Sequence, residues 1–435
     1  MEELFNLYLH VFVSLFIGIL YFKIIRYDFF SVRGIVTVYF FIFYPFVALL
    51  NLSLTYFSDI KIDDLYVILS LMTYEIFISS MLIVELFLRK RRVSVQEYNV
   101  RLNTNRLFVL LLIYVLALLL RLWLGVYYHI SIEPDYNFNT ASFQNLLDKL
   151  HWIGVIPAFA FWYKYQQTNR RVYFFAVIFI ASLSVIIYLP SGSRTTAFGF
   201  IPLLLIYIVS SMKSKKKAVI FIGSSCLLLS SLIIYSGKIR VVDNDFENSN
   251  LSDDAGILIH RLSDYLMTGR IIEKVPASYD YRYLKNIEYS LHGVFPAFLR
   301  SKLGMQVDFN DGAEYAYKIG LTQWWTSVPI TILGDFYSRL GWSGVVVLSL
   351  LLAIVIKLYD NLIIGVSSLY RLIFLVLFGR YLSQIYIVDL QVLFLTLTRE
   401  FIVAFLLSTI IYRFIKKKYS GNQLSTMPST VLHGQ

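Results

Sequence analysis

This sequence predicts an all-α polytopic integral membrane protein, and three observations predict it. The chain of 435 residues is 57% hydrophobic and only 15% charged, with a mean hydropathy of +0.65, whereas a soluble domain carries about a quarter charged residues. Its apolar residues fall in long runs, and one bilayer span needs roughly 17–25 of them. Short basic clusters separate those runs at alternate ends. In lipid every backbone polar group must be paired within the chain, so runs of this length form helices. The residue-by-residue alternation of a membrane β-barrel is absent.

The first run, 5–24, includes most of MEELFNLYLHVFV, which lacks the basic n-region of a cleaved signal and is therefore expected to span. Further runs at 34–56, 65–88, 107–125, 152–167, 172–189, 197–212, 218–235, 341–358, 369–387 and 400–415 bring the expected total to about 11 transmembrane helices. Lys23, Arg26 and Arg33 follow the first run, and Arg89, Lys90, Arg91 and Arg92 follow the third. Arg170 and Arg171 follow the fifth, Lys213 and Lys215 to Lys217 the seventh, and Lys416 to Lys418 the last. The positive-inside rule makes these ends cytoplasmic, with the N-terminus outside and the C-terminus inside, as an odd number of spans requires. The net charge of +11 is thus a topology signal and implies no nucleic-acid partner. The single cysteine, Cys226, excludes an intrachain disulfide and a cysteine-type zinc site.

We treat 1–435 as a single transmembrane domain carrying one large external loop, about 237–326. That loop holds 12 of the 28 acidic residues but also 10 basic ones, so it is mixed in charge and not an acidic tail. Tyr279, Tyr281, Tyr283, Tyr289, Phe295 and Phe298 give it too much aromatic content for a linker. Short interfacial helices over a cavity are expected there. Residues 420–435 are polar and expected to form a disordered cytoplasmic tail.

Arginines near bilayer depth are costly and need a partner or a task. Arg194 stands in YLPSGSRTTAFGF, a small-residue turn between two apolar runs. Asp335 and Arg339 stand in LGDFYSRLGWSGVV, Arg399 and Glu400 open the last run, and Arg380 falls inside LIFLVLFGRYLSQIYIV, where it is expected near mid-membrane facing the bundle interior. Each has a plainer reading. Arg339 is four residues from Asp335 on one helical face and can pair with it. Arg399 and Glu400 can be an interfacial anchor, Arg194 a solvated turn residue, and Arg121 a snorkelling side chain. Several external arginines together point instead to an anionic ligand, because the planar guanidinium fork matches phosphate oxygens. Ser191, Gly192 and Ser193 would let backbone N–H groups approach the same anion. An anion beside lipid suggests a lipid-linked phosphate or diphosphate.

At Gly192-Ser193-Arg194, opening a span, the sequence resembles the bacterial O-antigen polymerases and the related O-antigen ligases. The stretch TSVPITILGDFYSRLGWSGVVVLSLLLAIV resembles the polymerase segment after the large loop, through Gly334, Asp335, Tyr337, Gly341 and Gly344. It departs from that pattern in having Asp335 where glutamate is frequent and Leu340 where phenylalanine precedes glycine, with Trp342 following. Arg282 and Gly293, with ten residues between them, fit a loop motif of the same family. The close likeness covers some forty residues; the likeness in architecture covers most of the chain. It implies a GT-C-like membrane glycosyltransferase in a bacterial inner membrane, with its site facing the periplasm. It implies as partners undecaprenyl-diphosphate-linked oligosaccharides and membrane lipids, and allows for a chain-length regulator protein. The implied reaction moves a growing glycan from its lipid diphosphate to the terminal sugar of a new lipid-linked unit.

In such a reaction charge develops on the departing diphosphate, where preorganised cations stabilise it. Arg194 is the first candidate, with Arg282, Arg339, Arg300 and Arg399 beside it. The acceptor hydroxyl must lose a proton to a base. His292, in SLHGVF, is the leading candidate because an unperturbed histidine titrates near neutrality; it can equally be a packing histidine, and His260 and Asp335 are alternatives. Trp324 and Trp325 are candidates to stack on sugar rings or to belong to an interfacial belt. No metal and no cofactor are expected. Asp243-Asn244-Asp245 lies in an Asn-rich polar stretch more in keeping with a solvated loop, and neither histidine ligand spacing nor a nucleotide-binding glycine loop is present. The competing expectations are an O-antigen ligase with lipid A core as acceptor, a lipid-linked oligosaccharide flippase, and an exopolysaccharide acyltransferase.

Overall fold

The structure, a computed structural model, describes residues 2–55, 64–88, 102–128, 138–188, 194–212, 264–283, 287–295, 297–305, 311–319, 330–364 and 366–416. The described residues are almost entirely helical, with one isolated bridge between Leu102 and Lys416. Five helices among them are long and apolar enough to cross a membrane: Phe5–Ile24, Val32–Leu50, Leu65–Phe87, Ile332–Ile364 and Leu390–Ile415. Shorter apolar helices cover Thr104–Leu120, Arg171–Ser184 and Phe200–Ser211. The expected span at 218–235 and the tail at 420–435 lie outside the described residues. These helices expose large apolar side chains in stripes, such as Phe12, Phe16 and Ile19, or Phe108, Leu112, Leu116 and Leu119. Lipid explains such stripes and water does not, so the chain is membrane-associated.

Helix α1 (Glu2–Ile24) packs along α4 (Asp64–Phe87). Between them runs one interrupted helix: α2 (Val32–Phe41), a π turn (Ile42–Phe46) and α3 (Val47–Thr55). Ser31 caps α2 by accepting the Gly34 N–H at 3.1 Å. The π turn contains Pro45, whose missing N–H breaks the regular ladder. Helices α5 (Thr104–Tyr128), α6 (Phe138–Thr168), α7 (Arg171–Tyr188) and α8 (Arg194–Ser211) follow, with α6 against α5, α7 and α8. Helix α6 begins well before the expected 152. Its first turns, FNTASFQNLLDKL, are too polar to register as part of an apolar run.

Four short helices lie in the large-loop region: α9 (Asp264–Lys274), α10 (Ile287–Val294), α11 (Ala297–Lys302) and α12 (Asp311–Lys318). α9 is wedged against α4, the π turn and α13 (Ile332–Ile364). A chain of hydroxyls seals the wedge, with Tyr44 Oη 3.1 Å from Thr268 Oγ1, itself 2.5 Å from Thr331 Oγ1. Then come α14 (Ser368–Leu382), a 3₁₀ turn (Ile385–Ile387), α15 (Leu390–Leu395), a second π turn (Thr396–Glu400) and α16 (Phe401–Ile415). Asp389 caps α15 by accepting the Val392 N–H at 2.8 Å. At the opposite end of the bundle, the Asn103 N–H donates to the Ile415 carbonyl at 2.9 Å, tying the start of α5 to the end of α16.

Near the C-terminal end of α13 lies a buried ionic network. Arg33, 1% exposed, donates through Nη1 to both Glu85 carboxylate oxygens at 2.7 Å. Its Nε is 3.0 Å from Asp360 Oδ2, and Lys357 Nζ donates to Glu85 Oε2 at 2.6 Å. Asp360 Oδ1 also accepts the Val32 N–H at 3.2 Å. The basic cluster after the first run is therefore not wholly solvent-facing: Arg33 turns inward because two acids, on α4 and α13, meet it there.

Candidate functional site

The site grows from a break in α13. Residues Ile332 to Arg339 are buried. Then Leu340 takes φ −140°, ψ 15° and Gly341 takes φ +64°, ψ −149°, so the helix stops and restarts. Only glycine adopts that second conformation without strain, and a Cβ at Gly341 would lie 2.9 Å from Tyr281 Oη. Breaking the helix frees carbonyls from their usual partners four residues on. The Arg282 N–H donates to the Ser338 carbonyl at 2.8 Å, and the Tyr283 N–H to the Arg339 carbonyl at 3.1 Å. A piece of the large loop is thus stitched to the broken helix by its own backbone.

This stitch lays Arg282 against Asp335, whose carboxylate is fully buried. Arg282 Nη1 donates to Oδ1 at 2.8 Å, and Arg339 Nε to Oδ2 at 3.0 Å. The Leu390 N–H, in the first turn of α15, donates to Oδ2 at 2.8 Å, and Ser338 Oγ lies 3.3 Å from Oδ1. Arg339 Nη1 also donates to the Tyr283 carbonyl at 3.2 Å. One carboxylate therefore orients two guanidinium groups and anchors two other segments. The Arg282 guanidinium sits 4.4 Å from the Tyr315 ring centroid. Burial pushes the Tyr315 phenol up to about 12, against the opposing pull of Arg282, so it stays protonated at physiological pH. Its hydroxyl is buried and meets no hydrogen-bond partner among the described residues.

Aromatic rings surround this centre. Tyr281 lies 6.2 Å from Tyr283 and 6.3 Å from Tyr337, and Tyr337 lies 5.4 Å from Trp342 edge-to-face. Tyr283 is exposed and Trp342 half-buried. An oriented pair of cations beside partly exposed aromatic faces is suited to an anion that carries a sugar.

Of the residues singled out from the sequence, Asp335, Arg282 and Arg339 come together. The i,i+4 pairing of Arg339 with Asp335 is present, and Arg282 joins it from across the loop. All four donors converge on the Asp335 oxygens, so its evident work is to position the arginines. His292 is half-buried on α10, which packs against α15; a Cβ at Gly293 would lie 2.6 Å from a Leu395 methyl. Arg300 lies in the last turn of α11, and neither it nor His292 is among those four donors at Asp335. Arg399 pairs with Glu400, its neighbour in the second π turn, at 2.5 Å. Arg194 begins α8, and its side chain lies outside the described residues, as do Ser191, Gly192, Ser193, His260, Trp324, Trp325 and the Asp243-Asn244-Asp245 triplet. Arg380 is in the last turn of α14, half-buried, with its guanidinium over the Trp152 ring. The Leu390 N–H was not legible beforehand, because a backbone donor has no residue type to betray it.

The fold and the site define an α-helical membrane protein whose large loop is locked onto a broken helix by a buried arginine–aspartate–arginine centre. Comparisons with protein-family models, with curated proteins and with solved structures find no match.

Proposed function

We propose that the chain is a metal-independent membrane glycosyltransferase of GT-C-like architecture, with about 11 spans in a bacterial inner membrane and its site facing the periplasm. It polymerises undecaprenyl-diphosphate-linked oligosaccharide units into an O-antigen or similar surface polysaccharide. The observation that carries this reading is the Asp335 centre, where Arg282 and Arg339 are held in fixed orientations beside aromatic rings. Such cations stabilise the charge that develops on a departing diphosphate without having to reorganise.

The glycosidic bond from the donor sugar to its diphosphate breaks, and the diphosphate leaves with the electron pair. A new bond forms from that sugar carbon to the acceptor hydroxyl, whose proton passes to His292. Arg282 and Arg339 receive the leaving diphosphate, with Arg194 and Arg300 supplying further positive charge. Tyr283 and Trp342, with Trp324 and Trp325, offer ring faces to the acceptor sugars. Asp335 serves as the positioning residue for both arginines.

The test uses purified protein in lipid nanodiscs given undecaprenyl-diphosphate-linked repeat units. A ladder of longer glycans is expected, undiminished by a metal chelator, and Arg194→Ala and His292→Ala should each abolish it while the protein still inserts. Product found only on an added lipid A core would make the protein a ligase. Translocation without any bond formation would remove the enzymatic reading altogether.

A further inference from the structure

The contacts that place Tyr315 do not account for its hydroxyl. Tyr315 rides on α12, which is seated by the fully buried Ala316 and, just past its end, Ile319. Lys274 Nζ donates to the Ile319 carbonyl at 2.6 Å, and Lys274 ends α9, itself wedged against α4 and α13. So anchored, the Tyr315 ring lies against one face of the Arg282 guanidinium, 4.4 Å away, while Asp335 Oδ1 accepts from Nη1 of the same group at 2.8 Å. A phenylalanine would make that face contact too, since the attraction is to the π face. The hydroxyl is not needed for it, yet its oxygen is buried and meets no hydrogen-bond partner among the described residues. Leaving a buried donor unpaired is costly, so folding alone would favour phenylalanine here.

What the hydroxyl offers is a neutral donor beside a fixed cation. The phenol stays protonated at physiological pH, so its O–H can donate. A donor next to a guanidinium suits an anion, because both groups act on the same charge. The cover over the pair is thin. Tyr283, next to Arg282 in the chain, is 59% exposed, and Tyr317, two residues after Tyr315, is 50% exposed. Tyr283 also takes φ +49°, a strained conformation for a tyrosine. Its N–H and carbonyl are both bonded to Arg339, at 3.1 and 3.2 Å, which holds the strain in place. Strain of this kind clusters at ligand sites.

We propose that the Tyr315 hydroxyl is a third donor at the Asp335 centre, giving a hydrogen bond to a phosphate oxygen of the bound diphosphate alongside Arg282. This rests on the reading of that centre as a diphosphate site. The hydroxyl keeps its proton throughout: it stabilises the anion by donation and acts as neither acid nor base.

Binding is measured with the full chain in zwitterionic nanodiscs, using undecaprenyl diphosphate as one probe and inorganic diphosphate, which lacks the lipid, as the other. Tyr315→Phe should weaken both at least about ten-fold, as expected for loss of a hydrogen bond to a charged group. Its ligand-free melting temperature at neutral pH should match or exceed that of the unaltered protein, because it removes an unpaired buried hydroxyl and keeps the ring over Arg282. A lower melting temperature would mean that the hydroxyl serves the fold, and unchanged affinity for undecaprenyl diphosphate would mean that it touches no phosphate; either result overturns the proposal. So would weakened lipid binding with inorganic diphosphate unaffected, which moves the contact to the isoprenoid chain. If the unaltered protein binds neither probe, the diphosphate reading of the centre falls and takes this inference with it. If Tyr315→Phe loses affinity for both yet no glycan ladder ever forms, the polymerase reading falls and the Tyr315 contact stands.

Discussion

Asp335 and Gly341 make opposite demands on the same short segment. Asp335 is a buried charge that is tolerable only because two guanidinium groups and a backbone N–H meet it. Asp335→Asn should therefore leave two buried cations without their counter-charge, at a cost of about 3–5 kcal/mol, read as a lower melting temperature in detergent. Adding Arg339→Gln should cost less than the sum of the two single changes, because both remove one interaction. Gly341→Ala introduces a side chain at φ +64° and brings its Cβ 2.9 Å from Tyr281 Oη. We expect a loss of about 1–3 kcal/mol and release of the 282–283 segment, seen as faster amide exchange at Arg282 and Tyr283. Tyr315 gives a pH test. Its phenol is raised above the ordinary value of 10 to about 12, mainly by burial. The folded state resists forming the phenolate, so the Tyr315 contribution to stability should be constant below pH 10 and fall as pH rises from 10 toward 12. Tyr315→Phe should flatten that part of the stability curve.

At the scale of elements, two ionic centres hold the ends of α13. The loop end is fixed by Asp335 to the large loop and to α15, and the basic end by Lys357 and Asp360 to α4 and α2. Glu85 is central to the second, since both Arg33 and Lys357 end on it. Glu85→Gln should destabilise by about 3–5 kcal/mol without altering lipid binding at the loop end. A fall in the melting temperature with unchanged diphosphate affinity is the expected pattern. The break at Leu340–Gly341 divides these duties, so that the short buried segment belongs to the site and the longer segment to the bundle.

For the whole molecule, the alternating basic clusters predict an external N-terminus and an internal C-terminus. An impermeant reagent should label a tag before Met1 in intact cells, and a tag after Gln435 only after the membrane is opened. Labelling in the reverse order would place the Asp335 centre on the cytoplasmic side and remove the periplasmic reaction. The fold also unites distant parts of the chain: α4 packs directly on α13, and α5 meets the end of α16. The bundle is therefore not a series of independent hairpins.

What the sequence determined by itself was local. Apolar runs give helices in lipid, whatever their neighbours, because backbone pairing there is obligatory. The four-residue spacing of Asp335 and Arg339 was legible because residues i and i+4 share one helical face, whereas the break at Leu340-Gly341 was not read from the sequence. Tertiary structure alone decided that Arg282, 53 residues away, closes on Asp335, that the Leu390 N–H joins them, and that Arg33 turns inward to Glu85 and Asp360. The physical reason is that a charge in a low-dielectric interior is governed by whichever counter-charge packing brings within about 3 Å. Packing across helices leaves no period in the sequence from which that partner can be read.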